Sequence, residues 1–569
     1  MGRSFASSCI LADALVASLI ASSLLTACAR TMGSAAPGTS GTAATSATAV
    51  GEMQRRLSII ADDSMMGRET GSDGDYKTAA YVASEFARMG LEPAGEHGTY
   101  FQTVPFWRAA SDPRTRVIAS GTTLTAPNDL LVLRNGAAPR SLDGVRVLYA
   151  GQASDSATWA PPSRAAGKIV VLDVPPNGPR RGPLRATRWP GAVAIVVAGL
   201  DQLGDEIRER AIEGYPVPDS TADPKRPILL YVTRRAESLM LGALPASLTP
   251  GTIAGPVQGF AGTAITPVAY PARNVIAILR GSDPALRGEY VSLSAHHDHV
   301  GFDHHPVDHD SLRAFNGVIR PMGADSPPRE PTAAEWARIH TTLDSLRRLR
   351  PPRPDSIRNG ADDDGSGTVS LLEIAEWLAT SPTRPRRSIL FINHTGEEAG
   401  LLGSAYFTDH PTVPLDSIIG EIDQDMVGRG TATDRPRDGV GTGGPTYLEV
   451  VGAWRLSHEF GAALDSANAR QPLPFVFNLE YDKAGHPLQY YCRADHYSYA
   501  RYGIPSVALA RGEHEDYHQV TDEAQYIDYT DMARVSHLVL DMAVALANTP
   551  KRPALDSPRQ SDPHAPCRQ

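Results

Sequence analysis

The sequence predicts an α/β protein: a mixed, mostly parallel central sheet flanked by helices, interrupted by an inserted mainly-β or α+β domain. Three features carry this expectation. Short apolar runs bounded by turn signals recur at Val275–Leu279, Tyr290–Leu293, Ile389–Ile392, Ile418–Ile422 and Ser506–Ala510, as buried strands do. Helical spacing appears elsewhere, and a stretch of differently patterned short β-like runs lies in between. Finally, four of the apolar runs lead directly into residues able to bind a metal ion: His296, the pair Glu397 and Glu398, Asp425 and His518. In parallel sheets, functional groups gather beyond the carboxyl ends of the strands, so these loops would converge on one crevice.

The chain has 569 residues and is 41 % hydrophobic, enough for two domains and a leader. Its 54 Lys and Arg against 64 Asp and Glu give a net charge of −10, and its basic residues form only short Arg-Pro patches. Nucleic acid is therefore not an expected partner. Residues 1–28 carry Arg3, an apolar segment Ala14–Leu25, and Leu25-Thr26-Ala27-Cys28. The apolar segment is too short for a permanent span and reads as an export signal. Its last four residues resemble a bacterial lipobox, which implies cleavage before Cys28 and lipidation of that cysteine; plain signal cleavage without lipid is the alternative. The expected location is periplasmic or cell-surface, with membrane contact only through a lipid on Cys28.

Residues 29–50 are almost entirely Ala, Thr, Gly, Ser and Pro, which predicts a flexible tether. Tyr76, Ala79, Ala80, Val82, Ala83 and Phe86 lie at helical spacing and Gly90 ends the run, predicting an amphipathic helix over Asp75–Met89. Residues 106–264 hold β-like runs at Val145–Tyr149, Lys168–Leu172, Ala192–Val197 and Ile228–Val232, separated by Pro/Gly-rich loops. No catalytic cluster stands among them, so this is the expected inserted domain. A second insertion, 302–358, is rich in His, Pro and Arg; Trp336, Ile339, Leu343 and Leu346 mark one short helix in it. It reads either as a lid near the site or as a solvated surface insertion, with His304, His305, Asp308 and His309 facing solvent. The Pro-rich end, 549–569, reads as a disordered tail. Of four cysteines, Cys9 and Cys28 fall in the leader; Cys492 and Cys567 remain, and nothing in the sequence assigns a bond between them.

The chemistry centres on Glu397 and Glu398, adjacent on a Gly-bounded turn after a strand-like run. Adjacent side chains on a turn diverge, so one carboxylate can bind a metal while its neighbour takes a proton from water. An acidic turn, Asn359 to Gly367, adds Asp362, Asp363 and Asp364 and leads into a helix to about Ala379. Two histidines and three carboxylates suit two zinc ions, because close cations need several anionic ligands and one that bridges. Two other motifs compete. His514-Glu515-x-x-His518 matches the helical zincin pattern, but a strand ending in Arg511-Gly512 leads straight into it and no helical periodicity supports it. Asp362 to Glu373 fits the EF-hand loop, but Pro351, Pro352 and Pro354 preclude an entering helix. No GxSxG, Walker A or GxGxxG arrangement supports another class.

In chain order, AHHDHVG, NGADDDGSG, HTGEEAGLLGS, DMVGR and DYHQVTD resemble the co-catalytic zinc aminopeptidases of peptidase family M28, across 51–105 and 265–548. GKIVVLDV with PGAVAIVVAG resembles the protease-associated (PA) domain found inserted in exported peptidases. The resemblance implies the zinc-peptidase fold, two zinc ions per chain and peptide substrates. By the same resemblance His296 and Asp425 would hold one zinc, Glu398 and His518 the other, and Asp363 would bridge. Glu397 would be general base and acid, Asp298 would orient the His296 imidazole, and Tyr517 would help stabilise the oxyanion. His299, His394, Asp423, His496 and His514 read as neighbours of the site rather than ligands. The long 302–358 segment departs from the family pattern. Carboxypeptidases, glutaminyl cyclases and noncatalytic ectodomains on the same scaffold are the rival readings.

Overall fold

Nine strands build the sheet that carries the site, in the order Glu92–Pro93, Ala272–Leu279, Ser388–His394, Tyr290–His296, Ile418–Gln424, Ser506–Ala510, Tyr447–Val451, Val476–Asn478, with Phe101–Val104 also paired to Ala272–Leu279. The central four, from Ser388–His394 to Ser506–Ala510, are parallel; the pairs on either side of them are antiparallel. The computed structural model describes residues 40–133, 136–174, 188–218, 223–327, 329–429, 444–556, 559 and 561–569. The expected leader with Cys28, and residues 29–39 of the expected tether, lie outside the described residues.

Both faces of this sheet are covered, which explains why its strands read as nearly continuous apolar runs. Val275, Ala277, Leu279, Val291, Leu293, Ile389 and Phe391 face one core with the helices Asp73–Arg88, Gly365–Thr380 and Tyr529–Asn548. The alternate residues Ile276, Ile278, Leu390 and Ile392 pack on the other side against Phe407 and Tyr499. The two-residue period therefore sorts one strand sequence between two cores.

Helix Ser40–Ile60 begins inside the stretch expected to be a tether. Met53, Leu57 and Ile60 are fully buried in the first core, and the Ala-rich stretch before them continues the helix because alanine is the strongest helix former. Composition alone missed this extension. Arg56, also fully buried, is paired with Glu85, Glu373 and Glu376. Glu373 is thus engaged away from the acidic turn that the EF-hand pattern would need.

A second nine-stranded sheet is drawn from residues 116–261. Val147, Tyr149, Ile169, Val171, Ala194 and Val196 face one core with helix Arg234–Leu241; Leu148, Val170, Leu172, Ile195 and Val197 face another. The chain leaves the first sheet at Val104 and re-enters at Ala272, which are register partners. Trp107–Ser111 and Thr263–Pro267 then pair as the two connecting strands.

The 302–358 segment is a folded unit, not a solvated loop. Strand Phe302–Asp308 pairs with Pro354–Ile357, and two helices, His309–Ile319 and Ala333–Leu349, pack through Ala314, Ile319 and Ile339. A capping box of Thr332 and Glu335 opens the second helix. Buried Asp310 is ion-paired with Arg347, Arg350 and Arg353, so part of the segment's arginine content neutralises an internal acid. His309 is buried, Asp308 caps a helix, and His304 and His305 pair with Glu213 and Glu209. His304 and His305 are thus exposed as expected, and the expectation fails for His309 and Asp308, which the fold of this unit draws in.

The tail also departs from expectation. Cys567 forms a disulfide with Cys492. Gln569 Oε1 accepts the Tyr491 amide at 3.2 Å, and Arg559 pairs with Asp416 at 2.6 Å. Such long-range ties are invisible to local composition. Among the described residues no helix is long and apolar enough to cross a membrane.

Candidate metal centre

The four parallel strands end side by side, and their loops bring the expected residues together. His296 closes its strand, Glu397 and Glu398 follow the strand ending at His394, Asp425 follows Gln424, and His518 lies on a turn after Ala510. Asp363 comes from the acidic turn before helix Gly365–Thr380. Three of these loops hold non-glycine residues at positive φ, Leu401 (φ 60), Met426 (φ 59) and His518 (φ 56), backbone strain of the kind that clusters at functional sites.

Two donor sets result. In one, His296, Asp363 and Asp425 each offer an atom within 4.8 Å of the others; in the second, His299, Asp363, Glu398 and His518 do the same. Asp363 belongs to both sets, through Oδ1 at 3.4 Å from His296 Nε2 and Oδ2 at 2.9 Å from His518 Nε2. His518 Nε2 is also 3.0 Å from Glu398 Oε1, and His296 Nε2 is 3.7 Å from Asp425 Oδ1. Despite these approaches, His296 Nε2, Asp425 Oδ1, Asp363 Oδ2, Glu398 Oε1, His518 Nε2 and His299 Nδ1 are all buried without a hydrogen-bond partner among the described residues. Buried polar atoms are normally satisfied, and six convergent orphans of this chemistry fit metal ions.

Glu397 and Glu398 diverge as adjacent turn residues do. Glu397 Oε2 lies 3.9 Å from His296 Nε2. Burial pushes its carboxyl well above the usual range; His296 opposes this, and Asp425, Glu398 and Asp495 add to it. Burial acts in the same sense on Glu398, but His518 and His299 outweigh it and bring that carboxyl down to about 2. Neighbouring acids with oppositely displaced proton affinities are suited to different roles. Both line an open cleft of about 660 Å³ with Met426, Val451, Tyr490 and Tyr517.

Two supports do more than the sequence suggested. The acceptor nearest His296 Nδ1 is the Asp298 carbonyl at 3.1 Å, with the Asp298 carboxylate at 3.6 Å. That carboxylate also accepts the Glu397 amide and the Thr70 hydroxyl. The local motif could not reveal these partners, which come from other loops. Asp364, read as a turn residue, accepts the amides of His296, Gly367 and Met426, and so joins three loops of the site.

His514 stands apart from both donor sets: its Nε2 is 3.1 Å from Asp362 Oδ2 and its Nδ1 2.9 Å from Arg429 Nη1. No helix spans 514–518, so the zincin arrangement is absent. His394 contacts Tyr499 Oη at 3.1 Å, and burial brings its imidazole down to about 3. His299 is the residue that sequence reasoning set aside and the structure brings in. Its only sequence signal is the dense histidine run 296–299.

Tyr517 stacks on the His518 ring at 3.9 Å between centroids, and Arg493 donates to its hydroxyl at 3.3 Å. The 302–358 segment holds this turn: the Ala324 amide donates to the Tyr517 carbonyl at 3.1 Å, and Asp325 pairs with Arg493 at 2.8 Å.

Parts of the chain are similar to known proteins. Residues 274–543 match the model described as Peptidase family M28. Leucine aminopeptidase 1 of Paracoccidioides brasiliensis (strain Pb18) is 32 % identical over 199 residues, covering 33 % of this chain and 46 % of that protein. Leucine aminopeptidase 1 of Penicillium rubens is 28 % identical, covering 34 % and 48 %. The chain thus spans about half the length of these curated relatives. Among solved structures, the aminopeptidase from Aneurinibacillus sp. strain AM-1 aligns over 89 % of this chain and 96 % of its own, at 16 % identity and a TM-score of 0.49. BSAP, a zinc aminopeptidase from Bacillus subtilis, aligns over 87 % and 94 %, at 17 % identity and a TM-score of 0.47.

Proposed function

We propose that this chain, built around a peptidase family M28 domain, is an exported zinc aminopeptidase that holds two metal ions and removes N-terminal residues from peptides. The observation that carries this reading is the sharing of Asp363 between two sets of orphaned donors. His296 and Asp425 would complete one position, Glu398 and His518 the other. Bound there, the ions would polarise the scissile carbonyl and acidify the attacking water.

The chain's own residues account for the remaining steps. Glu397, unengaged by either donor set and open to the cleft, takes the proton of the attacking water and passes it to the leaving amine. Asp298 holds the Glu397 main chain at 3.1 Å, which keeps the carboxylate aimed at that water. Tyr517, at the cleft wall and braced by Arg493, donates its hydroxyl to the developing oxyanion.

The Cys492–Cys567 disulfide supports work in an oxidising compartment outside the cytoplasm. With the lipobox-like segment it favours export and a lipid on Cys28; globomycin treatment of a bacterial host should block maturation there, and unchanged processing would leave only a plain signal peptide. The 116–261 sheet is the part we read as a PA-like domain.

The reading is tested with the purified chain by metal analysis and a panel of free and amino-blocked aminoacyl and peptide substrates, with and without chelator. Close to two zinc ions per chain, and chelator-sensitive release of unblocked N-terminal residues, are expected. Equal cleavage of blocked substrates, or cyclisation of N-terminal glutamine in place of hydrolysis, would overturn it.

A further inference from the structure

We infer that His299 is a fourth ligand to one of the two metal positions, and that it makes the two positions unequal in affinity. This rests on the two-metal reading above. His299 Nδ1 lies 2.9 Å from Glu398 Oε1 and 3.7 Å from Asp363 Oδ2. The bland explanation is a hydrogen bond from the imidazole to Glu398. At 2.9 Å the distance would allow it, yet neither His299 Nδ1 nor Glu398 Oε1 makes a hydrogen bond among the described residues. Close approach without alignment is what donors sharing one cation show.

The imidazole is held in this pose by its surroundings. The His299 amide donates to the Arg68 carbonyl at 3.0 Å, and a bridge pairs the residue with Glu69. Its ring lies against Gly360, where a Cβ would fall 2.6 Å from His299 Cγ and Cδ2. The His299 and His518 rings meet edge to face, 5.4 Å between centroids and 80° between planes. The neighbouring histidine of the run goes elsewhere: His297 Nε2 faces Asp75 Oδ1 at 3.2 Å. The residue is 1 % exposed, so solvent does not account for its nitrogens.

The consequence is an asymmetry. His299, Asp363, Glu398 and His518 form a four-donor set, whereas His296, Asp363 and Asp425 form a set of three. Four protein donors close a zinc site, and three leave a position open. Two imidazoles and two carboxylates also balance a divalent charge. The four-donor position is the tightly held one, and the three-donor position exchanges its ion and presents the open side.

The test is calorimetric titration of the chelator-stripped full chain with zinc, comparing wild type with His299→Ala and, as a variant that keeps a polar side chain, His299→Asn. Wild type should bind two ions in resolved steps. Both variants should weaken the tighter step by about 100-fold or more, beyond the 10–100-fold typical of residues that only support a ligand, and leave the weaker step unchanged. Melting of the stripped proteins reports folding, and whichever variant melts like wild type is the one scored. Two unaltered steps in that variant would overturn the role of His299. Fewer than two ions in wild type would instead sink the two-metal reading itself.

Discussion

The main-chain amide of Glu397 donates to Asp298 Oδ1 at 3.1 Å. The same residue's carbonyl takes His296 Nδ1 at 3.1 Å, and its Oδ2 accepts the Thr70 hydroxyl at 2.7 Å. One buried aspartate therefore ties the turn that carries the proposed base to the strand end that carries a proposed ligand. Asp298→Ala should lower kcat by about 10–100-fold, the usual effect of removing a support behind a ligand. Steady-state kinetics together with zinc content is the check: unchanged kcat at full zinc loading would show that the tie is dispensable.

Glu397→Gln keeps shape and removes the proton acceptor. Hydrolysis should fall by at least about 100-fold, within the range attributed to general base catalysis, while both zinc ions stay bound. Near-normal turnover in this variant would take the base role away from Glu397.

Gly360 has φ +54, and a Cβ there would lie 2.3 Å from the Asp363 carbonyl oxygen and 2.6 Å from the His299 ring. Gly360→Ala should cost about 1–3 kcal/mol through the left-handed backbone and this crowding. Because both neighbours belong to the four-donor set, zinc affinity should fall as well. Denaturant unfolding and zinc titration measure the two effects, and wild-type values in both would contradict the packing described.

Glu237 is buried in the second sheet's core region, and burial, with Asp173 adding, pushes its carboxyl from 4.5 up to about 8. Between those values the folded chain keeps a proton that the unfolded chain has lost. Stability from this group is therefore fully present below pH 4.5 and is lost as pH rises through 8. Glu237→Gln should raise Tm by roughly 5 °C at pH 8 and much less at pH 4.5. Thermal melts at both values decide it; an equal shift at both would remove the titration account.

Breaking the Cys492–Cys567 bond, which joins positions 75 residues apart, should destabilise the native chain. Cys567→Ser is expected to cost about 2–4 kcal/mol. Unfolding curves of wild type with and without reductant provide the internal control, and reductant should leave Cys567→Ser unaffected.

Much of this was legible in the residues. The runs at Val275–Leu279 and Ile389–Ile392 read as buried strands because both faces of their sheet are covered, and each ends where a functional loop begins. Helix Asp73–Arg88 followed from periodicity within about two residues at each end. The helical stretch before Val50, the ordered tail and the Asp310 arginine cluster were not legible. Each depends on partners far away in sequence, and composition registers only the cost of ordering such segments.

The sequence by itself determined the strand ends and the residue types placed on them, since apolar run length, turn residues and donor chemistry are local properties. It therefore named His296, Asp363, Glu397, Glu398, Asp425 and His518 as candidates. The motif resemblance also implied that Asp363 would be shared; only the tertiary structure brought His299 beside Glu398. It also decided that the 302–358 segment braces Tyr517 and Arg493. The physical reason is that a ligand set is defined by distances of a few ångströms between atoms from different loops, and packing across the sheet, not any neighbouring sequence, sets those distances.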